Sequence, residues 1–387
     1  MNFDEVIDRR HTNCMKWDSM QQFYGVSPDT GLAMWVADMD FRPPPAVTAA
    51  LKAELEHGVH GYFGDESAYK TAISDWMQKR HQWAVDPEWI KTVHGLVAGT
   101  ALCIQAFTQI GDGIILFTPV YHAFARTIKA NQRQVLESPL KIDASGLYRM
   151  DLTSLAQQLT GKEKMVILCS PHNPGGRVWS VEELAELAEF CLKHDLLLVS
   201  DEIHHDLVFK GYKHTVMPLA APQIRERLIM LTATTKTFNI AGGLTGNAII
   251  ENPELRNQFS QAMLAAGSSP NRFGVLVSTA AYAQGETWLE GLLDYLDGNR
   301  RLFDAGIEQI RGLRSMHLEA TYLAWVNFAE TGLSPQQVID KVQKEAGIAT
   351  SYGSTFGSGG ETYLRFNLAT PRSRIEQALE RLKAVFN

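Results

Sequence analysis

The chain has 387 residues, enough for about two or three domains, and its 45% hydrophobic and 20% charged residues are ordinary for a globular protein. Its net charge of −7 and the lack of a basic arm argue against a nucleic-acid partner.

The beginning of the chain, Met1–Val6, lacks the basic segment and apolar core of a secretory signal, which predicts a cytoplasmic protein. The uncharged stretch from Thr92 to Gly111 contains His94, Gln105 and Gln109, so we interpret it as a buried helix and not as a membrane span. The four cysteines show no paired or metal-type spacing and are predicted to be reduced thiols: Cys14, Cys103, Cys169 and Cys191.

Residues 1–40 are rich in aromatic residues and irregular in pattern. Three prolines, Pro43–Pro45, then open a predicted helix over Ala46–Glu56. A glycine-rich loop, Gly58–Gly64, carries Tyr62 and leads into a second predicted helix over Ser67–His81.

From Val93 onward, short apolar runs alternate with helical segments. Runs that are apolar throughout are typical of strands buried on both faces, which predicts a mostly parallel sheet between layers of helices. One intervening helix begins with a capping box, Ser180–Glu183, and continues over Leu184–Lys193. The four predicted strands are Ile114–Phe117, Met165–Cys169, Leu196–Val199 and Leu228–Leu231.

The pattern changes after about residue 285 and predicts a second, smaller α/β domain. Its predicted strands are Tyr322–Phe328 and Thr362–Leu368, and its predicted helices are Pro335–Glu345 and Arg374–Phe386, the last with a capping box at Ser373–Glu376. We therefore expect a large domain over residues 41–285 and a small domain built from residues 1–40 and 286–387.

One chemically capable residue follows each predicted strand of the large domain. These residues are Tyr121, Asn173, Asp201 and Lys236. Ligands of open α/β sheets bind beyond the carboxyl ends of the strands, so the four side chains are expected to share one site.

Taken alone, Lys236 reads as a solvated loop lysine, but a desolvated amine can form a Schiff base with a carbonyl compound. Together with a carboxylate, an amide and an aromatic ring, it suits pyridoxal 5'-phosphate. Asp201 would keep the pyridine nitrogen protonated, Asn173 would donate to the phenolic oxygen, and Tyr121 would stack on the ring. The start of the helix at Leu96–Thr100 offers backbone N–H groups for the phosphate at Ala98 and Gly99, a weak signal by itself.

Three motifs occur in the order and spacing of a known family: Ser-Pro-x-Asn-Pro-Gly at 170–175, Ser-Asp-Glu-Ile-His at 200–204, and Thr-Lys-Thr-Phe-Asn at 235–239. They resemble those of fold-type I pyridoxal-phosphate enzymes in the class I/II aminotransferase superfamily. Within it the chain is similar to the MalY/PatB group of cystathionine β-lyases, or C–S lyases. The similarity extends from Asp38–Phe41 to Tyr363–Asn367.

The resemblance implies two further roles. Arg365 matches the arginine that binds the substrate α-carboxylate, although the residues alone indicate a solvated strand position. Tyr62 matches a tyrosine that reaches the cofactor phosphate of the neighbouring subunit, which implies a homodimer with shared active sites.

Two departures from the aminotransferase pattern resemble the lyase group. His204 stands where many aminotransferases have tyrosine, and Leu244 stands where they have a phosphate-binding arginine. The phosphate would then depend on backbone donors and on Thr235. Adjacent His204 and His205 would point to opposite faces of a strand with no third ligand evident, so a cofactor-supporting histidine is favoured over a metal site.

The expected activity is β-elimination from a sulfur amino acid, with cystathionine giving homocysteine, pyruvate and ammonia. Aminotransfer is the nearest alternative because it shares every step up to the carbanion. A protein that keeps the fold and cofactor but acts mainly as a regulatory partner is the third.

Overall fold

The computed structural model describes all residues from 1 to 387. Its strands are β1 Leu32–Ala33, β2 Ile90–Val93, β3 Gly113–Thr118, β4 Gln134–Pro139, β5 Lys141–Ile142, β6 Tyr148–Arg149, β7 Glu163–Cys169, β8 Leu197–Asp201, β9 Leu228–Thr232, β10 Gly246–Ile249, β11 Arg314–Ser315, β12 Leu323–Asn327, β13 Ile348–Ala349, β14 Ser351–Tyr352 and β15 Tyr363–Asn367.

The helices are α1 Met15–Asp18, α2 Met20–Tyr24, α3 Pro45–His57, α4 Ser67–His81, α5 Leu96–Phe107, α6 Ala123–Ala130, α7 Leu152–Gln158, α8 Val181–Lys193, α9 Met217–Ala220, α10 Thr234–Thr237, α11 Pro253–Ala265, α12 Arg272–Gln284, α13 Glu286–Glu308, α14 Pro335–Asp340 and α15 Arg372–Phe386. None of them combines the length and the apolar character needed to cross a membrane.

Seven strands form the central sheet in the order β2-β10-β9-β8-β7-β3-β4. Strand β10 is antiparallel to both of its neighbours, and the other pairs are parallel. Alternate residues of these strands enter different core clusters: Ile115 and Val166 pack on one face, whereas Ile114 and Met165 pack on the other. The apolar runs therefore do form strands covered by helices on both faces, as predicted.

A second, four-stranded antiparallel sheet has the order β11-β12-β15-β14. The beginning of the chain joins this part of the molecule because β1 pairs in parallel with β13, with Leu32 opposite Ile348. Along the chain, the 23-residue helix α13 follows the strands of the central sheet and precedes those of the four-stranded sheet. The prediction of a smaller α/β part is thus confirmed, while its exact bounds at residues 40 and 286 stay a prediction.

Local sequence signals set most helix boundaries, with one exception. The capping boxes at Ser180 and Ser334 both form, with the serine accepting a backbone N–H and the third helical residue bonding back. The predicted box at Ser373–Glu376 does not form, because α15 begins at Arg372 and Pro371 occupies the N-cap without a side-chain hydrogen bond. A proline with its fixed φ of −50° starts this helix instead.

Candidate active site

Four neighbouring strands, β3, β7, β8 and β9, present their carboxyl ends at one edge of the central sheet. Tyr121 and Asn173 lie in the segments after β3 and β7, Asp201 is the last residue of β8, and Lys236 lies on α10 just beyond β9. The structure therefore brings the four strand-end residues to the same edge of the sheet, as the sequence predicts.

Lys236 is not the solvated lysine that its loop sequence suggests. Its Nζ donates a 2.6 Å hydrogen bond to the backbone carbonyl of Ala37. Burial lowers the pKa of Lys236 to about 8; the charge of Asp38 partly opposes this, and Arg365 adds to it. Roughly one tenth of the amine is thus uncharged at pH 7, far more than for an ordinary lysine, which suits both a nucleophile and a general base.

Asp201 is a buried carboxylate with few hydrogen-bond donors around it. It accepts one hydrogen bond, from the backbone N–H of Ile203 at 3.1 Å. Burial raises the pKa of Asp201 to about 7, against the lowering effects of that N–H and of the Lys236 charge. The charged form of a carboxylate whose pKa is raised in this way would be stabilised by a cationic ring nitrogen. Asp201 therefore fits the pyridine end of pyridoxal phosphate.

Arg365 is buried, contrary to the solvated position that its strand pattern alone indicates. Its guanidinium donates to Asn173 Oδ1 at 3.0 Å, to the Trp35 carbonyl at 2.8 Å and to Ser351 Oγ at 3.2 Å, while its Nε has no partner. Burial lowers the pKa of Arg365 to about 10, and the ionisable groups that offset this are tyrosines, not carboxylates. A buried cation without a carboxylate partner is suited to bind an anionic ligand.

Asn173 connects Arg365 to the cofactor position. Because its Oδ1 accepts the bond from Arg365, its Nδ2 is left to donate, as expected for a contact with the phenolic oxygen of the cofactor. A cofactor bound at Asn173 and a carboxylate bound at Arg365 would therefore both depend on this side chain.

The N-terminus of α5 begins after Gly95, which supplies no side-chain cap. The N–H of Gly99 already donates to the Gly95 carbonyl at 3.0 Å, so the prediction of Gly99 as a phosphate donor is wrong. The free groups are the first three of the helix, including the predicted Ala98. Gly99 matters for packing instead, since a Cβ there would lie 3.3 Å from Val93.

Thr235 and His204 lie beside the strand-end residues. Thr235 is buried next to Lys236, and its hydroxyl makes no hydrogen bond to the rest of the chain, whereas the neighbouring Thr234 hydroxyl pairs with Ser278 at 2.8 Å. His204 is buried with an unpartnered Nδ1, and its ring packs edge-on against Tyr322. Both positions leave polar atoms available to a ligand.

The histidine pair differs from expectation. Strand β8 ends at Asp201, so His204 and His205 lie in a turn and not on opposite faces of a strand. A third group is also present, because His81 of α4 lies with His205 and Asp206. Trp76, Thr237 and His81 all donate hydrogen bonds to the Asp206 carboxylate. Although burial of the ring acts in the opposite direction, the negative charge of Asp206 raises the pKa of His205. We interpret the group as a hydrogen-bond hub and not as a metal site.

Tyr62 is the one predicted site residue that the chain does not bring to the others. Its side chain is fully exposed, at 101% of the reference value. Sequence reasoning also missed two residues that shape the site. Tyr322 donates to the Ala37 carbonyl at 2.9 Å, and Asn239 bonds to Met39 and Phe41. Asn239 is the last residue of the motif that contains Lys236, and this position in the motif was the signal that could have identified it.

A parallel sheet with a desolvated lysine, a buried carboxylate and a free helix N-terminus at its carboxyl edge defines a pyridoxal-phosphate enzyme of fold type I. The family profile described as "Aminotransferase class I and II" matches residues 32–382, and the chain belongs to this family.

Two curated relatives and one solved structure show where in the family the similarity is greatest. Cystathionine beta-lyase PatB of Bacillus subtilis (strain 168) is 37% identical over 390 residues, covering 100% of both chains. Protein MalY of Escherichia coli (strain K12) is 31% identical over 98% of this chain and 97% of its own. The PLP-bound C–S lyase from Staphylococcus hominis matches with a TM-score of 0.92 and 32% identity, covering 100% of this chain and 98% of that one.

Proposed function

We propose that the protein is a carbon–sulfur lyase that removes the β-substituent of sulfur amino acids, cleaving L-cystathionine to homocysteine, pyruvate and ammonia. The same reaction on cysteine would release sulfide. The observation that carries this proposal is the pairing of Arg365, a buried cation without a carboxylate, with Lys236, a lysine whose pKa is lowered to about 8. One binds an amino-acid carboxylate and the other takes a proton from the adjacent carbon.

The residues hold the cofactor from three sides. Lys236 would bond its aldehyde, Asp201 would pair with its ring nitrogen, and the free N–H groups that begin α5, including Ala98, would bind its phosphate. Tyr121 would cover one face of the ring, and Thr235 and His204 offer the unpartnered polar atoms described above. When bound, pyridoxal phosphate withdraws electrons from the α-carbon of the substrate.

The reaction then depends on the order in which the residues act. Arg365 holds the carboxylate in two-pronged geometry, which fixes the α-carbon near the lysine. Neutral Lys236 Nζ accepts the α-proton, the electron pair of that bond forms the Cα–Cβ double bond, and the Cβ–S bond breaks. The thiolate leaves and is protonated, and water converts the remaining aminoacrylate to pyruvate and ammonia.

Aminotransfer uses the same base and the same arginine, but it needs a keto acid to complete a turnover. The deciding experiment is therefore pyruvate and thiol release from L-cystathionine with no keto acid added. We expect sustained release of both products in equal amounts. A visible cofactor band without pyruvate would instead support aminotransfer, or the regulatory role if no sulfur amino acid reacts.

We further propose that the enzyme is a homodimer in which Tyr62 reaches the phosphate of the other subunit. The full exposure of Tyr62 supports this proposal, since a tyrosine that contacts nothing in its own chain is available to another. Its loop also exposes Val59 at 67%, and the preceding helix exposes Leu55 at 64%.

Four unpaired cysteines, three of them buried, support a reducing compartment such as the cytoplasm.

A further inference from the structure

Asp206 forms the centre of a buried hydrogen-bond network behind the active site, which we call the Asp206 hub. Its Oδ2 accepts the Thr237 hydroxyl at 3.0 Å, and its Oδ1 accepts His81 Nε2 at 3.0 Å. Trp76 Nε1 lies 3.1 Å from both oxygens, and His205 Nε2 lies 3.1 Å from Oδ2. Three hydrogen-bond donors and the His205 ring therefore surround this carboxylate and hold the side chain in one orientation.

His205 extends the hub towards the sheet. Its Nδ1–H donates to the backbone carbonyl of Glu202 at 2.5 Å. The Glu202 side chain is itself held by the Ser200 hydroxyl at 2.9 Å, the Met217 N–H at 3.0 Å and His214 Nε2 at 2.7 Å. The Glu202 end of the chain of bonds is thus anchored in the core.

The two ends of this chain adjoin the two residues that bind opposite ends of the cofactor. Glu202 directly follows Asp201, and Thr237 directly follows Lys236. The order of contacts is Glu202 carbonyl, His205, Asp206 and Thr237. The first and last of these three contacts are hydrogen bonds, and the middle one is a 3.1 Å contact between the His205 ring nitrogen and a carboxylate oxygen of Asp206.

The central sheet does not itself fix this spacing. The register of β8 and β9 ends with Asp201 opposite Leu231, and Lys236 lies beyond it on α10. Helix α10 has four residues, too few for its own hydrogen bonds to hold it in place. The lysine must therefore be held by contacts from outside the helix, and Thr237 makes one of them with the hub.

We propose that Asp206 is a positioning residue which, through Thr237 on one side and His205 on the other, sets the position of Lys236 relative to Asp201. The inference rests on the proposed function only in that the lysine and the carboxylate bind the two ends of one cofactor. Displacing reacting groups by about 1 Å can cost roughly 100-fold in rate, so the hub acts on catalysis without contacting the substrate.

The test compares Thr237→Val, which removes the bond to Asp206 at nearly constant shape, with Thr237→Ser, which retains the hydroxyl. The matched control is Thr108→Val, because Thr108 is also buried and lies at the C-cap of α5, the opposite end from the phosphate site. Its hydroxyl donates to the Ile104 carbonyl and accepts from Arg133, away from the hub. Measured on each holoenzyme are kcat and KM for L-cystathionine, the pH titration of the visible cofactor band and the free energy of unfolding.

We expect Thr237→Val to lower kcat by roughly 10- to 100-fold with little change in KM, and to shift the pH midpoint of the band. Thr237→Ser should restore both to near the values of the unsubstituted enzyme, and Thr108→Val should lose stability without moving either. Asp206→Asn should act in the same direction as Thr237→Val, and if it does not fold, Thr237→Val alone decides.

The proposal is overturned if Thr237→Val leaves the band midpoint and kcat unchanged, or changes them only as much as Thr108→Val does. The band is read without substrate, so this result is independent of the proposed reaction. Failure of the lyase function would appear separately, as an unsubstituted enzyme with a normal band and no pyruvate.

Discussion

Lys236 and Arg365 are cations that the fold has desolvated without giving either a carboxylate within hydrogen-bond distance. Lys236 Nζ bonds a carbonyl oxygen, and Arg365 bonds carbonyl, amide and hydroxyl oxygens. Neutral acceptors offset less of the cost of burying a charge than carboxylates would. This cost to stability is expected where ligands supply the missing charge, and it can be measured.

Lys236 should make the stability of the cofactor-free enzyme depend on pH. Its folded pKa of about 8 lies below the ordinary 10.5, so between these values the unfolded state binds more protons. The free energy of unfolding contributed by this residue therefore rises with pH across that window, by about 2–3 kcal/mol. Urea unfolding of the unsubstituted enzyme and of Lys236→Met from pH 7.5 to 10.5 measures this difference. A constant gap between the two curves would show that Lys236 is not desolvated.

Arg365→Lys should raise KM for L-cystathionine by at least tenfold, because an ammonium cannot reproduce the planar fork that binds a carboxylate. Affinity for pyridoxal phosphate should change much less, since Arg365 reaches the cofactor site only through Asn173. Arg314→Lys, at an exposed pair with Glu330, is the control. Unchanged KM in Arg365→Lys would remove the carboxylate-binding role.

At the scale of the elements, the segment 35–41 forms one wall of the site. It contains no helix or strand and follows β1 in the chain. Its carbonyls receive the side chains of Lys236, Arg365, Tyr322 and Asn367. A segment held mainly by side chains from distant parts of the sequence should loosen when one of them is removed.

Asn239 provides the test of this wall. It accepts the Met39 N–H at 2.9 Å and donates to the Met39 and Phe41 carbonyls, from a left-handed backbone position with φ of 54°. Asn239→Gly keeps that backbone conformation accessible while removing all three bonds. We expect faster hydrogen exchange at Met39 and a loss of about 2 kcal/mol of stability. Asn252→Ala, which removes an exposed helix cap, should leave Met39 exchange unchanged. Unaltered exchange in Asn239→Gly would mean that the other contacts suffice.

The elements also show what the sequence could and could not predict. Strands β3, β7 and β9 were predictable because being buried on both faces requires continuous apolar residues. The burial of Arg365 was not, because its partners Trp35 and Asn173 are 330 and 192 residues away in sequence. The prediction of Gly99 as a phosphate donor was wrong for a local reason, because the first residue of a helix decides which N–H groups are free.

On the scale of the whole molecule, one chain leaves the Tyr62 loop projecting outward. Glu54 at the end of α3 pairs with Arg272 and accepts from His60 at 3.0 Å, which ties the base of the loop to α12. The His60 ring packs against Phe273, itself 39% exposed. The loop is thus braced at its base and free at Tyr62, an arrangement suited to insertion into a second copy.

Mixed dimers test this arrangement. Tyr62→Phe should weaken cofactor retention, and Lys236→Ala should lose the visible band and nearly all activity. In a heterodimer of the two, one site combines an intact Lys236 with the partner's intact Tyr62, while the other site carries both changes. Random reassembly of equal amounts makes half of the dimers mixed, so about one quarter of all sites become complete if sites are shared. Assayed at limiting pyridoxal phosphate, the mixture should exceed the mean of its two parents. Activity equal to that mean would show that each site draws Tyr62 from its own chain or does not use it.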